Sequence, residues 1–181
     1  MLDTLVKKNF LSVITNIYDD HMDWHWSLVN YQKTKLSILA WSKHNYIHKS
    51  VYTKFSDFIN QYDNVICYGS GSRYDFDDSY LYDNDYKALP RKNIQLKGDH
   101  NAENLCLLVA IKDVIWISMD TITDVVKSFT KLEHRLEDAG IYRDIKFIND
   151  AISTTEESTI AAINYFWDTI WTIMLWWFDR W

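Results

Sequence analysis

Glycine and proline are scarce: four Gly and a single Pro, Pro90, in 181 residues. So little turn-forming material excludes long flexible linkers, and the chain is expected to fold as one domain spanning residues 1–181. Cysteine is as rare. Cys67 and Cys106 both sit in apolar runs, which fits free core thiols in a cytoplasmic protein and excludes a disulfide framework. The first residues, MLDTLVKKNFLSVI, interleave charges with apolar side chains and show no cleavage-site pattern, so no signal peptide is expected. Basic residues are outnumbered, 19 Lys and Arg against 25 Asp and Glu, for a net charge of −6. A deficit of cations disfavours direct binding to nucleic acid and suits a basic partner instead. No internal repeat is visible.

Aromatic residues are abundant at 16%, with nine Trp and twelve Tyr. Large rings with polar tips can build a core if their N–H and O–H groups find partners. Periodicity then suggests the elements. Leu2, Val6, Phe10, Val13 and Ile17 recur at helical spacing and predict a helix over 3–18. A second helix is expected over 23–44 and a third over 51–62, capped by Ser50. Val65 to Tyr68 reads as a buried strand stopped by Gly69. Residues 93–97 suggest a short edge strand and 98–101 a turn. The apolar runs 105–111 and 114–118 read as two buried strands, although one hydrophobic helix fits nearly as well.

Further on, Ile122, Val125, Phe129, Leu132, Leu136 and Ala139 predict a helix ended by Gly140. Ile141, Ile145, Ile148 and Ile152 continue as a shorter one. Thr154 followed by Glu157 has the form of a capping box and opens a Trp-rich helix over about 155–179. Asn164, Asp168, Thr169 and Thr172 near its middle argue against membrane insertion and for a buried core helix or a homo-oligomer seam. The expected fold class is α+β, a small central sheet flanked by N-terminal helices and a C-terminal helical region with that long buried helix.

The chemistry concentrates in Val65–Tyr86, VICYGSGSRYDFDDSYLYDNDY. Five Asp (75, 77, 78, 83, 85) and four Tyr (74, 80, 82, 86) lie within 74–86, without Lys or Arg, and carry −5 of the chain's −6. Tyrosine gives rigid amphipathic contact area, and clustered carboxylates steer a basic partner. Tyr74, Asp75, Asp77, Asp78, Tyr80, Tyr82, Asp83, Asp85 and Tyr86 are thus the candidate partner-binding surface. They could place negative charge where phosphates lie and rings where bases stack.

Phe58 to Arg73, FINQYDNVICYGSGSR, also resembles the entry to the active site in the polymerase-β-like nucleotidyltransferase superfamily. That resemblance covers 51–86 and implies a Gly69–Ser70 turn approaching nucleotide phosphates. It further implies Arg73 as the following basic residue, with Asp83 and Asp85 holding Mg²⁺ and Asp113 as a possible third carboxylate. Asn84 departs from the family pattern, which has an apolar residue between the carboxylates.

Other signals are thin. An EF-hand needs a central Gly and a Glu at position twelve, and both are missing from the acidic window. His21/His25 and His44/His48 have i,i+4 spacing but no accompanying Glu, and read as exposed polar positions near helix ends. Ser70 and Ser72 do not form a Gly-x-Ser-x-Gly elbow. These readings converge on a non-catalytic, cytoplasmic inhibitor of the toxin-immunity or phage anti-defence type, without cofactor, that blocks a nuclease or nucleoprotein defence complex. A metal-dependent nucleotidyltransferase-like enzyme, or a degenerate relative, is the alternative.

Overall fold

Alternation, not helical period, governs the first segment of the computed structural model, which describes residues 9–18, 25–96, 98–129 and 132–175. In β1 (Asn9–Ile14) the sequence NFLSVI buries Ser12 and Ile14 and leaves Phe10 exposed. In its described part the helix expected over 3–18 is therefore a strand over 9–14, followed by irregular chain over 15–18. β1 pairs in parallel with β2 (Ser42–His48), and β2 pairs in parallel with β3 (Val65–Tyr68), giving the order β1-β2-β3. A parallel pair needs a crossover. Here it contains α1 (Leu28–Leu36), capped by the Ser27 hydroxyl accepting from the Asn30 N–H at 3.2 Å, and a 3₁₀ turn, Ser37–Trp41. The helix expected over 23–44 keeps only that middle portion.

A buried polar network fixes the register. Asn45 is fully buried, and its amide donates to the Leu39 carbonyl at 3.1 Å and to Asn64 Oδ1 at 3.0 Å, while Ser12 donates to Asn45 Oδ1 from β1. Apolar residues cover both sheet faces, as parallel sheets require. Consecutive residues of β2 go to opposite sides: Ile47 joins Ile14, Tyr31, Leu39, Val51 and Ile59, whereas Tyr46 joins Tyr68, Leu81, Leu89, Cys106 and Val109. Helices α2 (Lys49–Lys54) and α3 (Ser56–Ile59) occupy the stretch where one helix was expected, and β3 falls where predicted.

After β3 the chain forms an antiparallel hairpin of β4 (Tyr80–Asp83) and β5 (Tyr86–Pro90). Residues 91–93 make a 3₁₀ turn in place of the start of the expected edge strand. α4 (Asp99–Ile111) replaces the first of the two expected strands; its Ala102, Leu105, Cys106 and Val109 are buried at helical spacing. α5 (Met119–Ser128) follows.

The contacts divide the chain into two compact units, Met1–Ser128 and Phe129–Trp181. In the second unit β6 (Glu137–Tyr142) and β7 (Ile145–Asn149) form an antiparallel hairpin, and α6 (Glu156–Phe166) follows. The expected helix over 122–139 ends at Ser128, and that over 141–152 is strand. The hairpin turn places Arg143 and Asp144 at φ 50° and 63°, a backbone that helical spacing alone does not reveal. α6 carries a capping box, Thr155 with Ser158, one residue later than the Thr154–Glu157 pair. It ends well short of residue 179, and Trp167 and Trp171 are exposed, so the long buried Trp-rich helix does not form in the described residues; 176–181 lie outside them. What stands of the expected class is a mixed α/β fold with a small sheet and helices. No described helix is long and apolar enough to cross a membrane.

Candidate functional site

In parallel sheets, ligands meet the chain at the carboxyl ends of the strands. At the ends of β2 and β3 stand His48 and the Gly69–Ser72 turn. His48 extends the chain into α2 as its N-cap: its Nδ1 accepts from the Ser50 N–H at 3.3 Å and lies 2.7 Å from Ser50 Oγ. Its Nε2 is buried and lies 3.4 Å from Glu103 Oε2 on α4, an ion-pair contact without hydrogen-bond alignment. The imidazole edge meets the Tyr68 ring, with centroids 5.5 Å apart. Gly69 leaves room for it. With φ at +94°, a Cβ there would sit 2.5 Å from His48 Nε2, so both the backbone and the imidazole call for glycine.

Burial dominates the chemistry beneath this edge. The Tyr68 hydroxyl is buried without a hydrogen-bond partner among the described residues, and its pKa is raised by burial and then by the nearby Glu103 charge. Burial, with Asp75 and Glu103 adding to it, pushes the Cys106 thiol up to about 12, so it is an inert core thiol that donates to the Asp75 carbonyl at 3.4 Å. Cys67 is shifted upward by burial against a smaller lowering effect from Lys49. Both cysteines are free; Cys67 lies on a strand as expected, and Cys106 on a helix.

Much of the acidic window is consumed by its own fold. Asp75 accepts from the Gly71 N–H of the Gly-Ser turn at 3.1 Å and from the Phe76 N–H at 2.7 Å. Asp77 accepts from the Ser79 and Tyr80 N–H groups and from the Tyr82 hydroxyl at 2.6 Å; those bonds, the Tyr82 one foremost, hold its carboxyl below the usual range. Asp83 pairs with Arg73 at 2.6 Å. Arg91 reaches back to donate to the Asp77 carbonyl at 2.9 Å and pairs with Asp99. Tyr74 is buried, Tyr80 and Tyr82 are half-buried, and Tyr86 with Asp78 and Asp85 is exposed. Of the nine window residues, Tyr74 is thus the buried one and Asp77, Asp78, Asp85 and Tyr86 are the exposed ones.

Of the nucleotidyltransferase-type positions, Arg73 and Asp83 are brought together at 2.6 Å. Asp83 ends β4 while Asp85 sits in the hairpin turn beside Asn84, whose φ is 54°, so the two carboxylates do not alternate along one strand. Ser70 is exposed in its turn, and Asp113 is exposed and paired with Lys112 at 2.7 Å. Among the described residues no cluster of three or more His, Cys, Asp or Glu could hold a metal ion. His44 and His48 lie on β2 rather than a helix face, and His21 lies outside the described residues. The His48–Glu103 contact escaped sequence reasoning. The i,i+4 spacing pairs His48 with His44 instead, and Glu103 lies between the turn expected over 98–101 and the apolar run that begins at residue 105.

Comparison with known proteins supplies the family. A family model described as Mur ligase middle domain matches residues 2–112. The UDP-N-acetylmuramoylalanine–D-glutamate ligase of Pseudothermotoga lettingae is 30% identical over 156 residues, covering 86% of this chain and 36% of that protein. The ligase of the same name from Buchnera aphidicola is 32% identical over 163 residues, with shares of 86% and 37%. Among solved structures, MurF from Acinetobacter baumannii superposes with a TM-score of 0.72 at 14% identity, covering 88% of this chain and 38% of that one. A pseudomurein peptide ligase type C from Methanothermus fervidus gives 0.61 at 18%, covering 79% and 38%. The chain spans a little over a third of the length of the curated relatives it matches.

These matches correct several expectations. The polymerase-β-like resemblance is replaced by the Mur ligase match, which spans the same Gly-Ser turn and far more of the chain. The inhibitor reading, its immunity and anti-defence character and its basic nuclease-like partner are overturned, because the relatives are ligases named for UDP-sugar peptide substrates. The alternative nucleotidyltransferase reading falls with them. The expectation of no cofactor also gives way, since Mur ligases use ATP with Mg²⁺; only the ion named in the alternative agrees.

Proposed function

The chain belongs to the Mur ligase middle-domain family, and on that premise we propose that it supplies the middle-domain part of an amide-forming, ATP-dependent ligase. The relatives' names give the substrate class: a UDP-linked N-acetylmuramoyl-alanine acceptor and D-glutamate. The observation that carries the reading is the coincidence of the matched residues, 2–112, with the parallel sheet and α4. The carboxyl edge of that sheet is where physical reasoning puts a ligand. A cytoplasmic ligase agrees with the family and with described helices that do not cross a membrane.

Among the described residues no cluster of three or more His, Cys, Asp or Glu could seat the metal, and Asp75 already accepts from the Gly71 N–H of the Gly-Ser turn. This chain's contribution is the rigid sheet edge, with His48, Gly69 and α4 held in fixed relation.

The test incubates the protein with ATP, Mg²⁺, UDP-N-acetylmuramoylalanine and D-glutamate. Melting temperature is recorded. The expected outcome is a ligand-induced rise in melting temperature that is larger with D-glutamate than with L-glutamate. An unchanged melting temperature would reject the reading.

A further inference from the structure

The geometry points to Ser50 as a nucleophilic site, with His48 as its general base and Glu103 as the carboxylate that faces the imidazole, able to take an activated acyl group. Ser50 Oγ lies 2.7 Å from His48 Nδ1, and His48 Nε2 lies 3.4 Å from Glu103 Oε2, within ion-pair range but not hydrogen-bonded to it. A nucleophile within hydrogen-bond reach of a base held in place is the arrangement that activates a serine, and here the N-cap bond and the Tyr68 ring hold the imidazole. The tautomer is the one required. Because the Ser50 N–H also donates to Nδ1 at 3.3 Å, that nitrogen carries the lone pair of the neutral ring and Nε2 carries the proton. A proton taken from Ser50 would leave an imidazolium facing a carboxylate.

Access and rigidity are divided between the members as such a site needs. Ser50 is exposed, whereas His48 and Glu103 are partly buried. The imidazole is confined by the Tyr68 ring edge and by Gly69, where a Cβ would meet Nε2 at 2.5 Å. The Ser50 contact also serves the N-cap of α2, and a cap alone needs only the backbone N–H. The hydroxyl contact, the Glu103 contact and the cleared space beside Nε2 are additional to it.

In the acyl step, Ser50 Oγ attacks the carbonyl carbon of an ester and its proton passes to His48 Nδ1. The tetrahedral adduct then expels the alkoxide, which takes that proton and leaves as the alcohol, and Ser50 is left as an ester. This inference rests on local geometry and not on the ligase reading, so either can fail without the other.

The test treats the chain with a fluorophosphonate probe, which forms an Oγ–P bond as fluoride departs, and with p-nitrophenyl acetate. Adducts are located by peptide mass spectrometry. A single adduct at Ser50 is expected, absent in Ser50→Ala. His48→Asn keeps an N-cap side chain but removes the base, and labelling should fall by about 100-fold, with a native melting curve. Glu103→Gln should slow it less. An unlabelled wild type, adducts scattered over other serines and tyrosines, or an unchanged rate in folded His48→Asn would each overturn the assignment and leave these contacts as a helix cap.

Discussion

The two units use apolar residues in opposite ways. In Met1–Ser128, large side chains from strands and helices meet in two buried clusters, with Ile47, Ile59, Leu81, Leu89 and Val109 fully enclosed. In Phe129–Trp181, Leu136 is the one buried apolar residue among those described, while Ile141, Tyr142, Ile145, Phe147, Trp167 and Trp171 are exposed. Tyr142, Ile145 and Phe147 share a hairpin face, opposite one on which Lys146 and Asp138 pair at 2.6 Å. A two-stranded hairpin is marginal by itself. Apolar content thus says how much surface wants covering, and topology decides whether it is covered.

Truncation is the strongest way to break this contrast. Leu81→Ala, at a fully buried position, should lower unfolding free energy by about 2–5 kcal/mol, whereas Ile145→Ala should stay within about 0.5 kcal/mol; urea melts of the two variants decide it. Equal losses would mean that the hairpin face is covered in solution. Next in size is the polar network under the sheet. Asn45→Ala strands the Ser12 hydroxyl and removes both amide bonds, so a loss of roughly 1–3 kcal/mol is expected.

Two glycines sharpen the comparison further. Gly69→Ala and Gly140→Ala both force alanine into positive φ, +94° and +110°, but only the first meets an obstacle. The second should cost about 1 kcal/mol. The first should cost more and move the His48 ring resonances in an NMR spectrum. Acid provides the mildest probe. The Asp77 carboxyl is lowered by its bonds to Tyr82, Ser79 and Tyr80. Its contribution is present above the unfolded aspartate pKa, near 3.9, and is lost as pH falls through the folded value. Asp77→Asn should flatten the acid limb of a stability profile below about pH 4, and an unchanged limb would count against those bonds.

Legibility in the sequence followed the same divide. Val65–Tyr68 was readable because Gly69 stops an unambiguous apolar run, and the 51–62 stripe gave its helices. β1 misled because Phe10, Val13 and Ile17 fit a helical spacing, while the Ser12–Asn45 bond that makes it a strand lies 33 residues away. The 105–111 run was ambiguous at every period, and burial of Ala102, Leu105, Cys106 and Val109 on one side settles it as helix. In the second unit, isoleucines spaced by three and four residues imitated a helix, and the turn at Arg143–Asp144 lacks the Asn-Gly signature that marks a hairpin. The acidic window is legible as a local feature, but the bonds inside it are not: Asp75 and Asp77 accept from backbone N–H groups and Asp83 pairs with Arg73, partners that composition does not disclose.

The parallel pairing of β1 with β2 sets the tempo at which the first unit can assemble. Asn9 must find Ser42 across the intervening helix before any ladder bond rewards the closure. Nothing like the zippering open to β6 and β7 is available to it, so refolding of the sheet should be the slow phase, with a half-time that trails hairpin formation by orders of magnitude.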